Sequence, residues 1–184
     1  PRLSAEMLLA HVLGIKRIDL YMQFDKPVDN ETLVKLRELV KRCGQHEPLA
    51  YLIGKTEFYS MEFLVSPDCL IPRPETELLV QRAIEFLRLR QGPQRVLDLC
   101  TGSGCVAIAV AKNHPAAGVT ATDISDAALA VAARNVEKHG VSDRVRLLCG
   151  DLFDAILTDL DVAQFDIITA NPPYVPDAAE VSPE

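Results

Sequence analysis

No stretch of this 184-residue chain is apolar for long enough to span a bilayer, and no signal-peptide pattern opens it, so neither a membrane protein nor a secreted one is expected. There is no C-x-x-C pair, and the cysteines are odd in number: Cys43, Cys69, Cys100, Cys105 and Cys149. That pattern argues against a disulfide framework and points to reduced thiols in a cytoplasmic protein, mostly acting as small buried hydrophobes. The histidines (His11, His46, His114, His139) lack metal-ligand spacing, so no metal is expected. A basic surplus is lacking too. The net charge is −7, with nine basic against ten acidic residues in 1–72 and ten against sixteen in 73–184. A duplex-binding surface would be basic, so no stable nucleic-acid binding is expected. Lys35, Arg37, Lys41 and Arg42 read as the solvated face of a helix. Internal repeats and low-complexity segments are also absent.

What is present is apolar residues at 48% of the chain, enough for a sizeable core without staples. The length fits one ordinary domain and a smaller one. Residue 1 stands almost inside a helix, and the natural N-terminus is expected to lie further upstream. The first segment, 1–54, reads as a small helical bundle. Ser4 caps a helix to Leu13, stopped by Gly14; Ile18–Gln23 forms a second; Asn30 caps a third to Cys43 with Leu33, Leu36 and Val40 on one face; Pro48–Ile53 is a last turn closed by Gly54. Residues 55–74 read as a hairpin around Ser60 and a joint stiffened by Pro67, Pro72 and Pro74. A helix from Glu75 to Leu89 then turns Leu78, Leu79, Ala83 and Phe86 inward.

From Gln94 the pattern alternates. Strands are expected at 95–99, 119–122, 145–148 and 165–170, with helices at 105–113 and 126–139, the latter capped by Ser125 and stopped by Gly140. Strands separated by helices imply an α/β fold with a mostly parallel, Rossmann-like sheet over 75–184.

The first strand runs into Asp98-Leu99-Cys100-Thr101-Gly102-Ser103-Gly104, and a helix follows. Gly102 and Gly104 permit a tight turn and close approach of a ligand to backbone, beside a helix N-terminus with free N–H groups. Counted from Gly102 the spacing is G-x-G-x-x-A, a weak signal by itself. Three carboxylates sharpen it. Asp98 ends the first strand, Asp123 ends the second where an acid can meet ribose hydroxyls, and Asp151 follows the third. Asp154, Asp159 and Asp161 read as loop solubilisers. A pyrophosphate would be repelled by Asp98, whereas the ammonium and sulfonium charges of S-adenosylmethionine would be attracted. Asp151 and Leu152 would meet the adenine.

The fourth strand ends in Asn171-Pro172-Pro173-Tyr174. The Asn171 side chain offers a carbonyl acceptor, and Pro173 lacks an N–H and pushes Pro172 into an extended conformation, leaving the Pro172 carbonyl to point outward. Two such acceptors can hold both hydrogens of a planar –NH2 group, with Tyr174 as a flat wall. Taken alone, the four letters also fit a stiff turn after a strand.

Together these stretches resemble class I S-adenosylmethionine-dependent methyltransferases, and more narrowly the HemK/PrmC-type N(5)-glutamine methyltransferases of peptide chain release factors. Glu47-Pro48-Leu49-Ala50-Tyr51-Leu52-Ile53-Gly54, Leu70-Ile71-Pro72-Arg73-Pro74-Glu75-Thr76-Glu77, the glycine turn and Asn171–Tyr174 carry the match. The resemblance implies that Cys100–Gly104, Asp123, Leu152 and Asn171 contact the donor. It implies that Asn171–Tyr174 hold the target glutamine of a Gly-Gly-Gln loop, and that the helical segment helps dock the release factor. It also implies further strands beyond the fourth. Two positions depart from the family: Cys100 stands where glycine is common, so its side chain must turn from the ligand, and Leu152 replaces an aromatic neighbour of adenine. The alternatives are an amino-methyltransferase acting on adenine or cytosine, an NAD-dependent oxidoreductase, and a non-catalytic adaptor.

Overall fold

The structure, a computed structural model, describes residues 2–157 and 164–173. The chain divides into two compact units, Pro1–Lys55 with Val65–Pro67, and Thr56–Leu64 with Asp68–Glu184. The hairpin therefore belongs largely to the second unit.

The first unit holds α1 (Arg2–Leu13), α2 (Asp19–Met22), α3 (Asn30–Gly44) and α4 (Leu49–Ile53). Packing of α1 on α3 and α4 buries Leu8, Ala10 and Leu52. Ser4 lies within α1 and does not cap it. The cap of α3 is Asp29, one residue before Asn30, because Asp29 is extended and its carboxylate accepts from the Thr32 N–H at 2.9 Å. The half-buried stripe of α3 is Leu33, Leu36 and Leu39, while Val40 is exposed. Gly14 and Gly54 close α1 and α4 at φ +65° and +78°.

In the second unit, β1 (Lys55–Phe58) and β2 (Met61–Leu64) form a two-stranded sheet. Tyr59 and Ser60 join them at φ +51° and +58°, the doubly left-handed turn that matches strand twist. Phe58 and Phe63 are buried edge to face. A 3-10 turn at Pro74–Thr76 leads into α5 (Glu77–Arg88). The buried face of α5 is Val80, Ala83, Ile84 and Leu87; Leu78 and Phe86, expected inward, are exposed. The tighter first turn rotates the stripe relative to a helix that is α from Glu75.

Then come β3 (Gln94–Leu99), α6 (Cys105–Asn113), β4 (Ala117–Asp123), α7 (Asp126–Lys138), β5 (Val145–Cys149), α8 (Asp154–Leu157) and β6 (Ile167–Ala170). Asp154 thus opens a short helix that the sequence pattern did not show, while Asp159 and Asp161 lie outside the described residues. The sheet is wholly parallel in the order β5-β4-β3-β6. Consecutive strands step outward from β3 to β5, then the chain returns to place β6 on the other side of β3. That reversal makes a switch point between β3 and β6, where loops diverge and leave a crevice at the carboxyl ends. Val96, Val119, Ala121 and Val145 pack in one core with α6, which is buried along most of its length. Ser125 caps α7, accepting from Ala128 N–H at 3.2 Å. Among the described residues no helix is long and apolar enough to cross a membrane.

Candidate active site

Every strand of the sheet delivers a residue to the same edge. Behind β3 the chain turns through Cys100–Gly104; β4 ends in Asp123; Gly150–Leu152 follow β5; Asn171 follows β6. Between them lies a cavity of about 750 Å³ whose walls include Cys100, Gly102, Asp123, Asp151, Leu152, Asn171, Pro172 and Pro173. Its remaining wall comes partly from Asp68, Cys69 and Leu70, and partly from Ile124, Ser125 and Ala128 at the start of α7.

Asp123 organises the turn. Its carboxylate accepts from Gly102 N–H at 2.8 Å and Ser125 N–H at 3.0 Å, and its backbone carbonyl accepts from Gly150 N–H at 3.0 Å. Thr101 N–H reaches the Thr122 carbonyl at 2.9 Å, fixing the turn to the tip of β4. Gly104 sits at φ +79°, and a Cβ there would lie 3.2 Å from Ala132 and Ile108, so α6 and α7 approach as closely as they do only around a glycine. Gly150 is more constrained. A Cβ would lie 2.6 Å from the Ala155 Cβ and 2.8 Å from its backbone nitrogen. Leu152 follows at φ +45°, half-exposed on the cavity wall.

Asp98, Thr101, Ser103 and Gly104 do not line the cavity; they form the layer beneath it. Asp98 is 2% exposed, and its two oxygens accept from the hydroxyls of Thr101 at 2.6 Å and Thr169 at 2.7 Å. Burial pushes its carboxyl up to about 6, against the opposing pull of those hydroxyls and of the Ala107 amide. Cys100 lines the cavity at φ +56°, a conformation glycine adopts without strain. Burial first, then the charges of Asp123, Asp98 and Asp151, push its thiol up; burial pushes Cys105 up to about 12. Neither is set up as a thiolate nucleophile. Among the described residues no His, Cys, Asp and Glu cluster could hold a metal ion.

Asn171 is half-buried, and its Nδ2 donates to Thr76 Oγ1 at 3.4 Å. The Pro72–Glu77 stretch thereby gains two roles: Thr76 meets Asn171, and the Glu77 carboxylate accepts from Tyr59 N–H at 2.8 Å, tying α5 to the hairpin turn. Tyr174 lies outside the described residues.

Sequence reasoning missed Asn135. It is fully buried; its Oδ1 accepts from Leu64 N–H at 2.7 Å, and its Nδ2 donates to the carbonyls of Leu64 and Ser103, both at 2.9 Å. One side chain thus staples the hairpin to the glycine turn. The available signal was an asparagine inside the apolar stripe Ala128, Leu129, Ala132, Val136.

Comparison with known proteins agrees with this geometry. Residues 75–182 match the methyltransferase small domain. The chain belongs to that family. Residues 1–54 match the PrmC N-terminal domain. Relatives of this methyltransferase small-domain chain include the release factor glutamine methyltransferase of Rhodopirellula baltica, 51% identical over 95% of this chain and 59% of that protein. Another, of the same name, from Chlorobaculum tepidum is 43% identical over 97% of this chain and 62% of that protein. The chain thus spans about three fifths of the length of these curated relatives. A SAM-dependent methyltransferase from Agrobacterium tumefaciens superposes with a TM-score of 0.54 at 23% identity, over 65% of this chain and 39% of that one. The second unit has the Rossmann-like class I methyltransferase fold.

Proposed function

We propose that the protein transfers a methyl group from S-adenosylmethionine to the side-chain amide nitrogen of a glutamine, in the Gly-Gly-Gln loop of peptide chain release factors. One observation carries this reading: Asn171-Pro172-Pro173 shares a single cavity with Gly102, Asp123 and Leu152. An amide-gripping element and an adenosyl-sized crevice open on the same space.

The cavity suits the donor. Asp68, Asp123 and Asp151 lie on its wall, and among the described residues no lysine or arginine does, so a cation is favoured there and a pyrophosphate is not. The same lack of basic side chains disfavours a nucleic-acid target. Asp123 keeps a second lone pair on each oxygen for ribose hydroxyls, beyond the backbone bonds it already accepts. Leu152 and Ile124 offer apolar surface for the adenine. The curated relatives are named for the same reaction on release factors. All five cysteines are free thiols, in keeping with a cytoplasmic protein.

S-adenosylmethionine, when bound, supplies an electrophilic methyl group on a sulfonium centre. This chain's residues supply placement. An amide nitrogen is a poor nucleophile because its lone pair is delocalised into its carbonyl. Asn171 Oδ1 and the Pro172 carbonyl would each accept one N–H of the target amide and aim its nitrogen at the donor. As the N–C bond formed and the S–C bond broke, its electron pair staying on the sulfur of S-adenosylhomocysteine, those N–H groups would grow more acidic and the two hydrogen bonds would strengthen, which would lower the barrier selectively. The proton then leaves to water. Most of the rate comes from positioning, and no cysteine, histidine or metal is required.

The test is incubation with labelled S-adenosylmethionine and a release factor carrying, or lacking, its Gly-Gly-Gln glutamine. Label should enter only the former. Asn171→Ala should lower turnover by at least about a hundredfold while changing S-adenosylhomocysteine affinity far less. Equal losses in both would remove Asn171 from the reaction.

A further inference from the structure

Burying a carboxylate is costly, and an apolar residue packs a strand interior better. The chain nevertheless places Asp98 beneath the donor side of the cavity, where it does not reach the wall. Its partners show what it joins. Thr101 belongs to the glycine turn. Thr169 belongs to β6, two residues before Asn171, and stands directly opposite Asp98 in the parallel register. Both hydroxyls are buried, at 6% and 2% exposure, and both donate to the same carboxylate, one to each oxygen. The bridge runs from the donor turn to the strand that carries the acceptor clamp, across the switch point, and adds a buried side-chain tie to the backbone ladder between β3 and β6.

We infer that Thr169 is a positioning residue for methyl transfer, holding the Asn171 end of β6 in register with the Cys100–Gly104 turn through Asp98. This rests on the methyltransferase reading above. The hydroxyl acts at a distance from the reacting atoms, so its loss disturbs the relative placement of donor and amide more than the binding of either. The charged groups and thiols facing Asp98 are Asp123 from β4, Cys100 from the turn and Cys105 from α6. None of them donates to it as the two threonines do.

The experiment compares wild type, Thr169→Val and Thr169→Ser by three readouts. They are S-adenosylhomocysteine affinity by calorimetry, transfer to a release factor, and the Asp98 side-chain carbon titrated by NMR. Valine keeps the shape and removes the hydroxyl. Because that hydroxyl favours the charged carboxylate, its loss should raise the pH at which Asp98 titrates. S-adenosylhomocysteine affinity should stay within about twofold while kcat falls about tenfold. Serine should restore all three. Unchanged kcat in the valine variant, equal loss of affinity and kcat, or no rescue by serine would overturn the inference while leaving the function standing. A wild type that fails to bind S-adenosylhomocysteine would overturn the function, and this role with it.

Discussion

The two units of this chain are held together by different means. In the sheet unit one large core cluster holds Val80, Leu87, Val96 and Ile108 and a second holds Leu97, and all five are almost wholly removed from water. In the helical unit only Leu8, Ala10, Leu52 and Val65 are buried among the described residues, while Leu3, Ile18, Met22, Phe24 and Val34 remain exposed. The helices rely more on polar contacts at their surface. Glu6 accepts from Arg2, Arg17 and Tyr21, and Arg42 pairs with Glu47. Surface ion pairs contribute little, typically below about 1 kcal/mol each. One unit therefore fixes a site by burial, and the other presents an apolar surface on a thin core. The same kind of damage should have different consequences in each.

The largest effect is expected in the sheet unit, at Asn135. Replacing it with Leu preserves bulk but leaves the Leu64 N–H and the Leu64 and Ser103 carbonyls without their partner. Orphaned buried groups cost about 1–3 kcal/mol each, so a loss of about 3–5 kcal/mol should appear in urea unfolding. S-adenosylhomocysteine affinity should fall too, since Ser103 lies in the glycine turn. A loss below about 1 kcal/mol would show that the staple is replaceable.

Leu8→Ala probes the other side. Truncating a buried leucine costs about 2–5 kcal/mol, which in so small a core should release amide protection throughout α1 and α3. Thermal stabilisation of the sheet unit by S-adenosylhomocysteine should survive. Its disappearance would mean that the two units unfold as one.

The contrast also governs what could be read from the residues alone. The sheet unit was legible because its signals reinforce one another: apolar runs, glycine turns and acids recur at each strand end, and all four strands, α6 and α7 fall close to their expected limits. Its details were hidden where a rotation or a long-range partner decides. The inward face of α5 depends on a 3-10 turn at Pro74–Thr76 that sequence periodicity does not show. Asp98 was placed beside the donor because it ends a strand; its buried partners, the hydroxyls of Thr101 and of Thr169, the latter 71 residues away, are not signalled by any local pattern. Asn135 pairs with Leu64 over the same separation. In the helical unit, Asn30 and Asp29 are both good caps, and the choice between them rests on one backbone angle.

Acid should act on the two units in opposite senses. Tyr21, Arg2 and Arg17 hold the Glu6 carboxyl down to about 2. A depressed carboxyl contributes stability that is present above its unfolded value of 4.5 and is lost as pH falls towards about 2. Asp98 is raised from 3.8 to about 6, so its contribution is fully present below 3.8 and is lost as pH rises through about 6. Between pH 7 and 4.5 the sheet unit should gain from Asp98 while the helical unit is unaffected by Glu6; below pH 4.5 the helical unit should lose first. Hydrogen exchange across that range checks both signs. Asp98→Asn should abolish the first trend and leave the second.

The smallest effects come from the helix caps, which allow a like-for-like comparison. Asp29 caps α3 and Ser125 caps α7, each through its side-chain oxygen to a backbone N–H in the first turn. Replacing either with Ala should cost about 1 kcal/mol. In α7 that loss has a buried helix face behind it, so the first turn should stay formed and the deficit should spread over the whole sheet unit as a lowered Tm. In α3 no residue is buried, so little opposes local opening. Asp29→Ala should fray the first turn of α3, visible as faster amide exchange at Thr32 and Leu33, with the sheet unit's Tm unmoved. Equal Tm shifts from the two substitutions would show that the helical unit draws its stability from the same cooperative core, and that its thin interior is not what sets its strength.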